Sequence, residues 1–129
     1  MRYMIIVKAS PESEAEAPPD PSMMSAMRAY HAELASAGVL LDFNGLRATR
    51  HGWRIEYGAD DRRTVTDGPF AETHELIAGY TLIQVRTREE ALEWSKRYPN
   101  PRSAGSRCAI EVRRVFEMED LAPGSSIDR

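Results

Sequence analysis

A chain of 129 residues is the size of one domain, able to bury about two thirds of its unfolded surface in a single core without disulfides or a structural metal. Its 42% hydrophobic and 29% charged residues exclude a wholly disordered chain or a fibrous repeat. With 17 Lys+Arg against 20 Asp+Glu and a formal net charge of −3, it lacks the basic footprint of a nucleic-acid binder, so no nucleic-acid partner is expected. Cys108 is the single cysteine and cannot form an internal disulfide. The apolar run before Lys8 is too short for a secretory segment, and Leu76 to Val85 is about half of the roughly 20 residues a membrane span needs. The expected setting is therefore cytoplasmic, with no membrane partner.

The first strand is read at Tyr3, Ile5 and Val7, alternating with Met4, Ile6 and Lys8; both faces carry apolar side chains, which predicts a central strand. Pro11 to Pro21 holds four of the eight prolines together with Glu12, Glu14, Glu16 and Asp20, a composition that predicts a mobile connection. Asp20-Pro21 then starts a helix running to about Ala37, because an Asp side chain caps exposed N–H groups and Pro presets φ at the first helical position. Met23, Met27, Tyr30 and Leu34 make its buried stripe, flanked by Met24, His31 and Ala35, and Gly38 supplies the left-handed stop.

Val39 to Phe43 reads as a strand, with Asn44-Gly45 as the turn or bulge that ends it. Trp53, Ile55 and Tyr57 alternate with Arg54 and Glu56, and Arg63 to Thr66 returns beside them, predicting an antiparallel hairpin with one buried and one wet face. A strand from Ala78 to Val85 leads to Thr87-Arg88-Glu89-Glu90, whose T-x-x-E form is a capping box. The helix it opens packs through Ala91, Leu92, Trp94, Ser95 and Tyr98 and is stopped by Pro99 and Pro101. Ala109 to Phe116 is the last strand. The domain is taken as residues 1–121 and the remainder, 122–129, as a loose tail rich in Pro, Gly and Ser. Strand, helix, strand, hairpin, strand, helix, strand is the order of an α+β, ferredoxin-like layer. With both helices on one face of its sheet, the other face is most simply covered by a second copy, so a homodimer is expected.

The densest chemistry lies in Asp67-Gly68-Pro69-Phe70-Ala71-Glu72-Thr73-His74-Glu75, three carboxylates and a histidine around a Gly-Pro corner. In one reading Asp67, Glu72 or Glu75 orients a substrate or holds His74 as a general base. In the other, Asp67-Gly68 makes a turn, Pro69 stiffens it, Phe70 plugs the core and the acids are solvated; this is the commoner use of such residues. His31, beside an apolar stripe, either lines a cleft between helix and sheet or is a partly buried histidine bonded to backbone. His51, in the basic turn Arg47 to Gly52 near Arg62 and Arg63, either attracts an anion or is a solvated loop residue. The three histidines have no H-x-x-x-H spacing, so no metal is expected. Cys108 is read as a structural thiol. Without G-x-x-x-x-G-K-[ST], G-x-G-x-x-G or G-x-S-x-G, no cofactor is expected and neither a nucleotide loop nor a serine-hydrolase elbow is supported.

The run Asp67 to Glu75 resembles the DGPFAET-K-E signature of the YCII-related, or DGPF-domain, proteins. The likeness extends through Leu76-Ile77-Ala78-Gly79-Tyr80, Glu89 to Trp94, Pro99-Asn100-Pro101, Ile110 to Arg113 and Ala37 to Leu41. The resemblance implies a bacterial protein with a dimeric α+β barrel fold. Relatives are often encoded beside extracytoplasmic-function sigma factors, and the wider superfamily includes isomerase-like and dehalogenase-like enzymes that use a His/Asp pair. Two positions depart from the pattern. His74 stands where the signature has lysine. The enzymatic pair does not carry over, since its first-helix position falls nearest Met27, a turn from His31, and the second helix ends Lys96-Arg97-Tyr98 without an acid. Two expectations follow, with enzymatic activity left open. One is a homodimer binding a small polar or anionic metabolite near the signature loop, with isomerase- or lyase-like acid-base chemistry by Asp67 and His74 and binding through His31, Phe70, Glu72 and Glu75. The other is a regulatory module contacting a sigma factor through the same loop or the acidic tail.

Overall fold

The computed structural model describes residues 1–122, and residue 74 by its backbone alone. The core is a four-stranded antiparallel sheet of β1 (Arg2–Lys8), β2 (Leu40–Gly45), β5 (Ile77–Gln84) and β6 (Ile110–Arg114), in the order β2-β5-β1-β6. With α2 (Pro21–Ser36) between the first two of these strands in sequence and α3 (Arg88–Lys96) between the last two, this is the ferredoxin-like α+β arrangement. β1 is central, paired with β5 and β6. Tyr3 and Ile5 stand opposite Ile83 and Thr81 and pack, with Tyr30, Leu34, Val39, Val85 and Ala91, into one core. Ile5, Leu34 and Ile83 are wholly buried, each burial being worth about 1.5–3 kcal/mol.

The helix boundaries follow from local chemistry. Ser22 N–H donates to the Asp20 carboxylate at 2.9 Å, Pro21 occupies the first turn of α2, and Gly38 takes φ +75° after it. Glu90 N–H donates to Thr87 Oγ1 at 3.1 Å, but the Glu90 carboxylate accepts from Arg86 N–H rather than from Thr87, so the capping box closes one residue early. Leu92, expected on the packing face of α3, is 41% exposed.

Four expectations are corrected. Pro11 to Pro21 is not a loose connection: it contains α1 (Pro11–Glu14), with reciprocal Ser10 and Ser13 hydrogen bonds at its start. Its acids find partners remote in sequence. Glu14 accepts from Thr49 N–H and hydroxyl, Glu16 from Ala48 N–H, Arg47 and Arg50, and Glu12 pairs with Arg102. Asn44 and Gly45 do not turn the chain but continue β2 opposite Tyr80 and Gly79. There Gly79 permits close approach, since a Cβ on it would fall 2.9 Å from the Asn44 carbonyl oxygen.

The hairpin β3 (Trp53–Tyr57) and β4 (Arg63–Asp67) forms a separate two-stranded sheet with Ile55 opposite Val65. Its predicted buried face is exposed in the single chain, with Trp53 63%, Tyr57 65% and Val65 63% accessible. Lastly, β6 is shorter than expected, and a capped turn of helix, α4 (Met118–Leu121), follows it, fastened at its start by the Arg2–Glu117 ion pair at 3.0 Å. Residues 123–129 of the expected tail lie outside the described residues. No described helix is long and apolar enough to cross a membrane.

Candidate functional site

A cleft of about 600 Å³ lies between α2 and the helix-facing side of the sheet. Met23, Met27 and His31 line it from one stripe of α2, because a spacing of four keeps side chains on one helix face. Phe43 and Thr81, opposite one another on β2 and β5, make its floor, and Tyr98 enters from beyond α3. Glu16 and Arg47 stand at its rim.

His31 is buried and both ring nitrogens are engaged. Nδ1 lies 3.0 Å from the Met27 carbonyl oxygen and Nε2 lies 2.8 Å from Thr81 Oγ1. A carbonyl only accepts, so Nδ1 carries the proton, and Nε2 therefore accepts from the Thr81 hydroxyl. The ring stacks on Phe43 at 4.1 Å between centroids and 18° between planes. Burial lowers the His31 pKa, against a smaller opposing effect of the Met27 hydrogen bond, so the imidazole is neutral at pH 7. Burial raises the Tyr98 pKa, against a hydrogen bond with the same Thr81. The result is a neutral imidazole whose lone pair is directed at a hydroxyl and whose other nitrogen is oriented by a backbone carbonyl. That is the arrangement of a base with an oriented partner, suited to taking up or relaying a proton.

The rim is held by charge. Glu16 is pulled down to a pKa of about 2, first by its hydrogen bond from Arg47 and then by that from Ala48 N–H. Arg47 and Arg50, proposed from sequence as an anion-attracting turn, are both engaged by this one carboxylate. His51 lies 3.6 Å from the same carboxylate. On the neighbouring edge, Tyr80 hydroxyl donates to Asp42 at 2.8 Å and Asn44 donates to the Tyr80 oxygen at 3.0 Å.

The signature loop packs against the turn at Thr49–His51. Gly68 N–H donates to the Gly52 carbonyl at 3.0 Å, and a Cβ at Gly68 would fall 1.9 Å from the Thr49 carbonyl oxygen, so no larger residue fits. Phe70 N–H donates to Thr49 Oγ1 at 3.0 Å. The Phe70 ring lies 3.8 Å beneath the Arg54 guanidinium, which also reaches Glu72 at 3.9 Å. Asp67 ends β4 opposite Trp53, and Glu75 N–H closes a short turn onto the Glu72 carbonyl. Asp67, Phe70, Glu72 and Glu75 do not line the cleft, whereas His31 does. The His74 side chain lies outside the described residues. Cys108 is exposed, not buried as a structural thiol would be, with its thiol 3.3 Å from Asn100 Oδ1. Among the described residues no group of three or more His, Cys, Asp and Glu is placed to hold a metal.

Thr81, Phe43 and Tyr98 carry no motif that marks them as site residues in the sequence. For Thr81 a signal was present: it is the polar interruption in the middle of an otherwise apolar strand, and a buried hydroxyl requires a partner.

A ferredoxin-like α+β domain with a small-molecule-sized cleft between its long helix and its sheet is thus the class that fold and site define. The YCII-related domain model matches residues 1–119, and the chain belongs to the YCII-related family. Among solved structures, the 5-chloro-2-hydroxyhydroquinone dehydrochlorinase TftG of Burkholderia phenoliruptrix AC1100, in complex with 2,5-dihydroxybenzoquinone, is similar at 15% identity and a TM-score of 0.44, covering 90% of this chain and 94% of that one. Comparison with curated proteins gave no match.

Proposed function

We propose that this protein binds a small polar or anionic metabolite in the cleft between α2 and the sheet, and that His31, with Thr81, is its acid-base group in isomerase- or lyase-like chemistry. The observation that carries this reading is the buried, neutral His31 with Nε2 engaged by the Thr81 hydroxyl at the base of a 600 Å³ cleft. A histidine needed only for packing would be as well served by an apolar residue, without the cost of desolvating two ring nitrogens. The protein acts as a cytoplasmic homodimer in this proposal, the second copy covering the exposed hairpin face of Trp53, Ile55 and Val65. A thermal-shift screen of metabolites against the wild type, His31→Asn and Asp67→Ala tests it. Ligands should raise the wild-type and Asp67→Ala midpoints and not that of His31→Asn. A ligand whose shift disappears in Asp67→Ala and survives in His31→Asn would return the site to the signature loop.

A further inference from the structure

We propose that the cleft takes a compact apolar monoanion, in the first instance an aromatic carboxylate, and that Arg28 is the residue that selects its charge. This inference rests on the reading of the cleft as a ligand site. The apolar part follows from the lining: Met23, Met24 and Met27 come from α2 and Phe43 from β2, with the His31 ring stacked on Phe43 between helix and sheet, a lining suited to a flat hydrophobic body. The charge follows from the partners of the polar side chains of the lining, where the Ser13 hydroxyl donates to the Ser10 carbonyl and the Tyr80 hydroxyl to Asp42. His31 Nδ1–H is spent on the Met27 carbonyl, and Nε2 accepts a proton rather than offering one. Asn44 donates to Tyr80 and Asp42, and the Tyr98 hydroxyl is taken by Thr81. Glu16, the one carboxylate of the lining, is neutralised by Arg47 and Arg50, which spends Arg47 as well.

Arg28 remains. It lines the cleft and has no hydrogen bond or ion pair with any described residue. It precedes His31 by three positions on α2, a spacing that puts both side chains on the same side of the helix. A carboxylate held in the planar fork of Arg28 would thus present its adjoining carbon near the His31–Thr81 pair, with the apolar body between the methionines and Phe43.

The test titrates benzoate, 1-naphthoate and 2-naphthoate, each beside its neutral amide, into isotope-labelled wild-type protein and Arg28→Gln, with binding read from backbone amide shifts. Saturable shifts at Met27, His31, Phe43 and Thr81 are expected with at least one carboxylate, binding about tenfold or more tighter than its amide, the scale of one charge-assisted contact. Arg28→Gln should remove that preference while leaving amide binding unchanged. Equal affinity for acid and amide, or a preference that persists in Arg28→Gln, overturns the assignment of Arg28 and leaves the cleft as a ligand site. Absence of saturable shifts at these residues with all six compounds overturns both.

Discussion

The acidic segment Ser10 to Asp20 and the β3–β4 hairpin both fasten onto the turn Ala48 to Gly52, and they do so by different physics. The acidic segment is held by carboxylates: Glu14 and Glu16 accept the Thr49 and Ala48 N–H groups, and Glu16 draws in two guanidinium groups. The hairpin is held by shape: Gly68 lies against the Thr49 carbonyl with no room for a Cβ, and Phe70 N–H completes the contact on Thr49 Oγ1. A segment with almost no apolar content is thereby ordered by directed polar contacts, while a segment rich in Trp, Ile, Tyr and Val leaves its apolar face in solvent. Order within one chain follows from whether partners are in reach, not from how hydrophobic a segment is.

The difference can be broken at three points. The largest effect is expected at the shape contact. Gly68→Ala places a methyl where backbone already lies, and should cost about 3 kcal/mol, the upper range for overpacking, read as a lower urea midpoint with unchanged slope. A midpoint within error of wild type would mean the turn yields freely. Next is the unpartnered face. Trp53→Ser with Ile55→Ser should convert the proposed dimer to a monomer in sedimentation while changing the stability of the single chain by only about 0.5 kcal/mol, as for exposed sites generally. A double variant that still sediments as a dimer would exclude the hairpin as the interface.

The smallest effect is expected in the carboxylate clasp, and it depends on pH. Glu16 has a folded pKa of about 2 against an ordinary 4.5, so its contribution is complete above 4.5 and is lost as pH falls toward 2. Over that window the amides of Ala48 and Thr49 should lose exchange protection before the ladder amides of β3 and β4 do, and Glu16→Gln should show the faster exchange already at pH 5. Parallel loss in both regions would show that the two are one cooperative unit. His31 adds a second window. Its folded pKa lies below the ordinary 6.5, so the unfolded chain takes up a proton that the folded chain resists, and stability declines as pH falls from 6.5 toward the folded value. His31→Asn should flatten that slope.

Periodicity and caps made most of the fold legible in the sequence. The Asp20-Pro21 start, the Gly38 stop and the Thr87 cap are short-range signals, each fulfilled by atoms within a few residues, whereas the alternation of Tyr3, Ile5 and Val7 marks a strand whose partners lie on β5 and β6. Of the candidate residues named from sequence, only His31 lines the cleft, and it fits both of its readings, a cleft residue and a buried histidine bonded to backbone. Its partner Thr81 is 50 residues away, and the Phe43 ring that stacks on His31 comes from another strand, β2, so neither contact is signalled by neighbours in sequence.

The signature run shows the reverse relation. Asp67 to Glu75 is the most specific sequence feature and identifies the family, yet Gly68 and Phe70 serve to seat the hairpin on the Thr49 turn, a contact visible only when the backbones meet. Local backbone preferences, which depend on neighbours three or four residues apart, set the elements and their limits. Which carboxylate meets which guanidinium, and which hydroxyl engages His31, depends on approach across the sheet and between α2 and β5. Those choices arise from closing the chain on itself, because desolvated polar groups must find partners wherever the fold brings them.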